Sequence, residues 1–322
     1  MSIIERVAEL LGSDPKTLEK PSATGKHVRV PAVDLIERII SESSERDEFQ
    51  PVREAATHPE AAERVADSAA KTSPAGPPSA PARLVRIDLD HLRKQNMITP
   101  DSERTPIAES FRRIKRRILL NVSDPKSNPR PNLVMVTSSV VGEGKTFCSI
   151  NLALSIAHER DRSVLLVDGD VARQSMPRTL GFEAGKGWMN LLLDRGMHLS
   201  DVLCKTNIDR LMLLPAGPAH PDATELLASG AMGMLLQGLS ARDPNRIIIF
   251  DSPPLLAASE AAALASQVGQ IVVVVEAGKT TETMLKSALD RLEANVAGLI
   301  LNKGEGQGLL DGYGGDYGYG AT

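Results

Sequence analysis

The sequence predicts an α/β fold with a doubly wound, mainly parallel sheet. Three observations point there. From Leu133 onward, short runs of Val, Ile and Leu alternate with helix-length segments, the pattern of strands covered on both faces by crossover helices. The first run empties into a glycine-rich loop, Ser139-Val-Val-Gly-Glu-Gly144-Lys145-Thr146. Two later runs end in aspartate, at Asp168 and Asp251, where such sheets bind their ligands.

The chain begins differently. Residues 1–12 place Ile3, Ile4, Val7, Leu10 and Leu11 on one helical face and Glu5, Arg6 and Glu9 on the other, so an amphipathic helix is expected, either packed on the body or docking a partner or membrane surface. Residues 13–82 lose this periodicity. The charge run at Ser41–Glu48 and the Pro/Ala/Ser stretch at Lys71–Ala82 read as a disordered linker with little to bury. Order is expected again from residue 83, with Val85–Leu92 as a strand or extended arm and Pro106–Asn121 as a helix.

Strands are then expected at Leu133–Thr137, Ser163–Val167, Leu211–Leu214, Ile247–Phe250, Ile271–Val275 and Gly298–Leu301. Helices are expected between them at about Lys145–His158, Met189–Asp194, Thr224–Leu239, Ser259–Gln267 and Thr281–Ala294. The expected division is 1–12, 13–82, a catalytic domain over 83–304, and a flexible tail over 305–322.

Composition narrows the functional classes. The 322 residues suffice for one large α/β domain with an appendage, or for two domains. A formal charge of -4 argues against a general nucleic-acid binder. Cys148 and Cys204 are the two cysteines, and neither sits in a metal-ligand or CxxC spacing, so a reducing cytoplasm and a packing role are expected. No apolar run approaches the roughly 20 residues that span a bilayer.

The loop at 139–146 carries the chemistry. Backbone N–H groups of a glycine turn and the positive end of the following helix suit nucleotide phosphates. Lys145 is placed to reach the β- and γ-phosphates, and the Thr146 hydroxyl to ligate Mg²⁺. Asp168 and Asp170 leave the second strand in Asp-Gly-Asp, and Asp251 ends the fourth in Arg246-Ile-Ile-Ile-Phe-Asp-Ser-Pro-Pro. If the second strand neighbours the first, its carboxylates face the loop. One can hold the metal through water while the other takes a proton from an incoming hydroxyl.

These elements resemble those of the bacterial tyrosine kinases. Ser139–Thr146 is similar to their Walker A, Asp168–Asp170 to their Walker A′, and Asp251 with its trailing prolines to their Walker B. Leu213-Leu-Pro-Ala-Gly217 followed by Glu225-Leu-Leu also resembles a family segment. The family's Glu-x-x-Arg-x-x-Arg oligomerisation helix is matched by Glu109 and Arg112, with Lys115 in the third place. A further departure follows Asp170: the family usually has Arg at the position of Ala172, whereas here Arg173 comes next. Met1–Arg6 and Met97–Arg116 resemble the branch found in exopolysaccharide loci with exosortase sorting systems.

The resemblance implies a P-loop NTPase fold of the deviant-Walker, partitioning-ATPase-like kind. It implies ATP and Mg²⁺ as cofactors, with contacts from Val141, Gly142, Glu143, Gly144, Lys145, Thr146 and Phe147. The metal would be held by Thr146, Asp168 and Asp251, with Lys145, Asp168 and Asp170 acting in catalysis. Asn302, at the end of the last strand, is the candidate for reading the adenine base, the alternative being a turn-forming Asn before Gly304. The implied partners are further copies of the chain, in an oligomer built on Glu109, Arg112 and Lys115, and a membrane chain-length-determinant protein. That partner would recruit a cytoplasmic protein to the inner face of the membrane.

Two other readings share the fold: a partitioning or positioning ATPase switch, and a nucleotide-binding regulator without turnover. Positioning ATPases place a lysine two residues before the Gly-x-Gly-Lys core, where this chain has Val140. The tail favours the kinase. All three tyrosines, Tyr313, Tyr317 and Tyr319, lie there, spaced by glycines that forbid a packed element. The span from Asn302 to Tyr313 extends to at most roughly 36–40 Å, enough to enter a neighbouring site, and these tyrosines are the expected acceptors.

Overall fold

A computed structural model describes residues 83–101, 105–123, 130–194, 196–292 and 296–304. Eight strands are described: β1 (Arg83–Val85), β2 (Leu133–Ser138), β3 (Ser163–Asp168), β4 (Cys204–Thr206), β5 (Leu211–Leu214), β6 (Arg246–Asp251), β7 (Gln270–Glu276) and β8 (Val296–Asn302). They form one sheet in the order β1-β4-β5-β3-β6-β2-β7-β8, parallel throughout except where β4 runs against β5.

The apolar runs become the sheet's centre because both faces are covered. Along β2, Val134 and Val136 join one core, while Leu133 and Met135 join the other. Along β3, Val164 and Leu166 face the first core and Leu165 and Val167 the second. Alternation of this kind, with every position apolar, leaves no solvent face.

The described helices are α1 (Leu89–Lys94), α2 (Pro106–Ser123), α3 (Lys145–Ala157), α4 (Ser175–Leu180), α5 (Trp188–Leu193), α6 (Leu199–Val202), α7 (Ala223–Leu227), α8 (Gly230–Arg242), α9 (Ser259–Ala265) and α10 (Glu282–Leu289). α3 is apolar nearly all round, with Ile150, Leu152, Leu154 and Ile156 buried. It lies between the sheet and α2, whose Ala108, Phe111 and Ile118 share its core. On the opposite face, α5, α7, α8, α9 and α10 pack through Trp188, Leu227, Leu236, Leu264 and Ala288.

Several expectations need correction. Val85–Leu92 is the end of β1 followed by α1, which starts at its own cap, where Asp88 accepts from the amides of Asp90 and His91. The helix expected over Thr224–Leu239 breaks at Ser229, which caps α8 by accepting from Met232 N; Ser-Gly at this point restarts the helix rather than continuing it. Missed elements are the short β4, α4 and α6. The strand carrying Asp168 does not neighbour the first strand, because β6 lies between them.

Both cysteines are buried and unbridged, and burial pushes the Cys148 thiol up to about 12. Among the described residues, no helix is long and apolar enough to cross a membrane.

One contact ties the fold to the site. Gly187 precedes α5, and a methyl group there would sit 2.1 Å from the Pro215 carbonyl oxygen, so the α5 backbone lies directly on the chain leaving β5. The indole of Trp188, thereby fixed, donates from Nε1 to the Asp168 carbonyl at 2.7 Å. Gly187→Ala is expected to cost about 1–3 kcal/mol of unfolding free energy in a urea titration. The shift should also appear in tryptophan fluorescence, since Trp188 is the single tryptophan.

Candidate active site

The site forms where β2, β3 and β6 end. Register pairs Asp168 with Asp251 directly across β3 and β6, and Val136 with Asp251 across β2 and β6. The insertion of β6 therefore brings three functional segments to one edge. The loop after β3 still reaches the phosphate loop, through an ion pair of 2.9 Å between Lys145 Nζ and Asp170 Oδ2, both buried.

The phosphate loop turns through Gly142 and Gly144, at φ 95° and 98°, a region that side chains with a Cβ rarely adopt. Gly144 is also the N-terminal flank of α3 and supplies no side-chain cap. The first amides of that helix are left for a ligand, and the helix dipole favours an anion there.

Asp168 and Asp251 are wholly buried. Burial raises both pKa values, and for Asp168 the neighbouring charge of Asp251 adds to it, pushing that carboxyl up to about 8. Asp251 Oδ1 accepts from Ser149 Oγ at 3.2 Å, and Asp168 Oδ1 from Asp170 N at 3.3 Å. The Oδ2 atom of each has no hydrogen-bond partner, and neither has Ser139 Oγ. Two adjacent buried carboxylate oxygens without partners, with the Thr146 hydroxyl nearby, suit a hard divalent cation. Among the described residues, no group of three or more His, Cys, Asp or Glu forms a metal cage, so such an ion would share its ligands with phosphate oxygens. Thr146 Oγ1 is meanwhile 2.7 Å from Ser175 Oγ at the start of α4.

A cleft of about 120 Å³ opens beside the ion pair. Asp170 and Val141 line it together with Pro253, Pro254, Arg173 and Glu260. Arg173 is exposed, and its backbone amide is bonded to Asp170 Oδ1 at 3.1 Å.

The remaining expected site residues are placed less uniformly. Glu143 is buried, and its carboxylate takes Val140 N at 2.7 Å and the Thr280 hydroxyl, so its side chain holds the loop together. The Phe147 ring packs edge-on against Phe111 of α2, centroids 6.4 Å apart. Asn302 donates to the Glu143 carbonyl oxygen at 2.8 Å. Glu109 and Arg112 form a half-exposed ion pair on α2, but Lys115 does not share their exposure. It is buried, donating to Ser155 O at 3.2 Å and pairing with Glu159 at 2.5 Å, at the C-terminal end of α3. A cation there satisfies helix carbonyls and the negative end of the dipole. Tyr313, Tyr317 and Tyr319 lie outside the described residues, as do residues 1–82.

Sequence reasoning missed Ser149, Ser175, Trp188, Thr280 and Lys303. Ser149 was within reach, four residues after Lys145 and thus on the same helix face. The lone tryptophan was a second available signal.

No protein-family model matches the chain. Tyrosine-protein kinase CpsD of Streptococcus agalactiae is 30% identical over 180 residues, 55% of this chain and 77% of that protein. Tyrosine-protein kinase YwqD of Bacillus subtilis is 29% identical, over 65% of this chain and 86% of that one. Among solved structures, the BceF tyrosine kinase domain is 30% identical with a TM-score of 0.53, covering 60% of this chain and 76% of that domain.

The buried pair has a pH signature. A carboxyl whose folded pKa lies above its unfolded value supports the fold while protonated and loses that contribution as pH rises through the folded value. Nucleotide-free protein should therefore lose thermal stability between about pH 4 and pH 8, measured by calorimetry in chelator. Asp168→Asn is expected to flatten that slope and raise the melting temperature at pH 8.

Proposed function

The chain belongs to the bacterial tyrosine kinases, and from that premise we propose an ATP-dependent tyrosine autokinase whose acceptors are Tyr313, Tyr317 and Tyr319. The observation that carries the proposal is the buried Lys145–Asp170 pair at the mouth of the phosphate loop. It joins the residue suited to a transferring phosphate to the one suited to an incoming hydroxyl.

With ATP absent, Lys145 is held by Asp170. A bound triphosphate offers a denser negative charge, so Lys145 turns to the β- and γ-phosphates, where it offsets charge developing during transfer. Asp170 is then released at the cleft wall. The tyrosine ring enters between Val141 and Pro253–Pro254, and its hydroxyl proton passes to Asp170 Oδ2 as the phenolic oxygen attacks the γ-phosphorus, while the bond from that phosphorus to the β–γ bridging oxygen breaks and ADP leaves. Asp170 suits this base role better than Asp168, because Asp170 lines the cleft and Asp168 does not. Thr146, Asp168 and Asp251 are the residues that would hold Mg²⁺, which when bound neutralises phosphate charge. Arg173, exposed at the rim, is the arginine available to the transferred group.

Transfer between subunits fits the tail's reach. Oligomerisation is assigned to Glu109 and Arg112, without Lys115. Phosphate adds about -1.5 to -2 charges per tyrosine beside Asp311 and Asp316, so a modified tail is repelled from the carboxylate-lined site. Recruitment of a cytoplasmic protein to the membrane by a chain-length-determinant partner, through residues 1–12, completes the reading. A role in exopolysaccharide export rests on the Met1–Arg6 and Met97–Arg116 motifs.

The test mixes two variants with Mg-ATP: Lys145→Met, and a chain lacking the three tyrosines. Phosphate appearing on the tail of the Lys145→Met chain is the expected result, with none when that variant is incubated alone. Label on other residues, or autophosphorylation by Lys145→Met itself, overturns the assignment. In sedimentation with ATP, Glu109→Ala with Arg112→Ala is expected to move the assembled species toward monomer. Each exposed pair contributes only about 0–1 kcal/mol, so the double change is the informative one.

A further inference from the structure

A phosphate loop works only if its amides face the ligand, which forces its carbonyls to the rear. Carbonyls turned away from the ligand are free to take donors from behind. Here the donors come from the far end of β8. Asn302 Nδ2 bonds the Glu143 carbonyl at 2.8 Å, and Lys303 Nζ bonds the Gly142 carbonyl at 2.7 Å.

Four further contacts make this a brace. Asn302 packs so closely on the loop that a methyl group at Gly144 would lie 2.1 Å from its Nδ2. Lys303 holds φ 57°, a left-handed conformation uncommon for a lysine, and its Nζ also pairs with Glu276 at 3.2 Å. Thr280, in the turn after β7, accepts from Glu276 N at 3.1 Å and donates to the Glu143 carboxylate. Strands β7 and β8 thus hold the loop from behind at both its backbone and its one buried carboxylate.

Resting on the nucleotide-site reading above, we propose that Asn302, Lys303 and Thr280 are positioning residues that orient the phosphate loop, and that Asn302 acts on the phosphates through the loop instead of reading the base. The distinction is measurable. A residue that reads adenine affects ATP alone, whereas one that orients loop amides affects every ligand carrying the same phosphates.

Displacement of a fluorescent ATP analogue from full-length protein with Mg²⁺ would give affinities for ATP, GTP and inorganic tripolyphosphate. Asn302→Ala and Lys303→Met are expected to weaken all three by the same factor, about tenfold for Asn302 and less for the half-exposed Lys303, with the melting temperature of ligand-free protein unchanged. Lys303→Arg should restore binding. Thr280→Val keeps the side-chain shape, should weaken all three alike, and decides the matter if a β8 variant fails to fold. A loss confined to ATP, or unaltered affinity in every variant, overturns the proposal. Wild-type protein that binds none of the three ligands overturns the nucleotide-site reading itself, whereas wild-type binding with unaffected variants removes only the brace.

Discussion

The structure turns on two carboxylates placed side by side in a dry sheet end. Asp168 and Asp251 are register neighbours, each fully buried and each with one oxygen lacking a partner. Such a pair is unfavourable in isolation. Lys145, the cation in its midst, is bonded to a third carboxylate, Asp170. Burial and mutual repulsion favour protonation of the pair in the ligand-free site, and a divalent cation is the species that would stabilise both as carboxylates.

The position of the pair is fixed by packing on both faces of the sheet. Trp188 sits under the Asp168 carbonyl because Gly187 lets α5 lie against the exit of β5. Ser149, on the first turns of α3, supplies a hydroxyl that meets Asp251. Neither group neutralises a carboxylate; both fix where it points. The phosphate loop is handled in the same way, its glycines giving the turn and β7 and β8 giving the orientation. Rigid supports around an unsatisfied centre confine the energetic imbalance to the place where ligand arrives.

Much of this was legible in the sequence, for physical reasons. Strands β2, β3, β6 and β7 are apolar at nearly every position, so burial on both faces left a direct trace. The loop's glycines, Lys145 and Thr146 are required by phosphate geometry and hence recognisable by spacing. What was not legible depends on three-dimensional neighbours. Nothing in Cys204-Lys-Thr marks a strand, because its three residues gain their structure from β1 and β5. Strand order was hidden too, and with it the insertion of β6 that pairs Asp168 with Asp251. Lys115 reads as solvated from its charge, yet the carbonyls at the end of α3 and Glu159 give it partners inside.

The burial of Lys115 also changes what α2 can do. A helix whose three matched side chains were all exposed would present a continuous strip of charge to a second subunit. Here the third side chain is committed to α3, which begins at the phosphate loop. α2 is thus joined to that helix at both ends, by Phe111 against Phe147 near the nucleotide site and by Lys115 against the Ser155 carbonyl at the far end. Glu109 and Arg112 are carried on a helix that packs along α3. A contact made through that exposed pair would bear on a helix packed against the one that opens with Lys145.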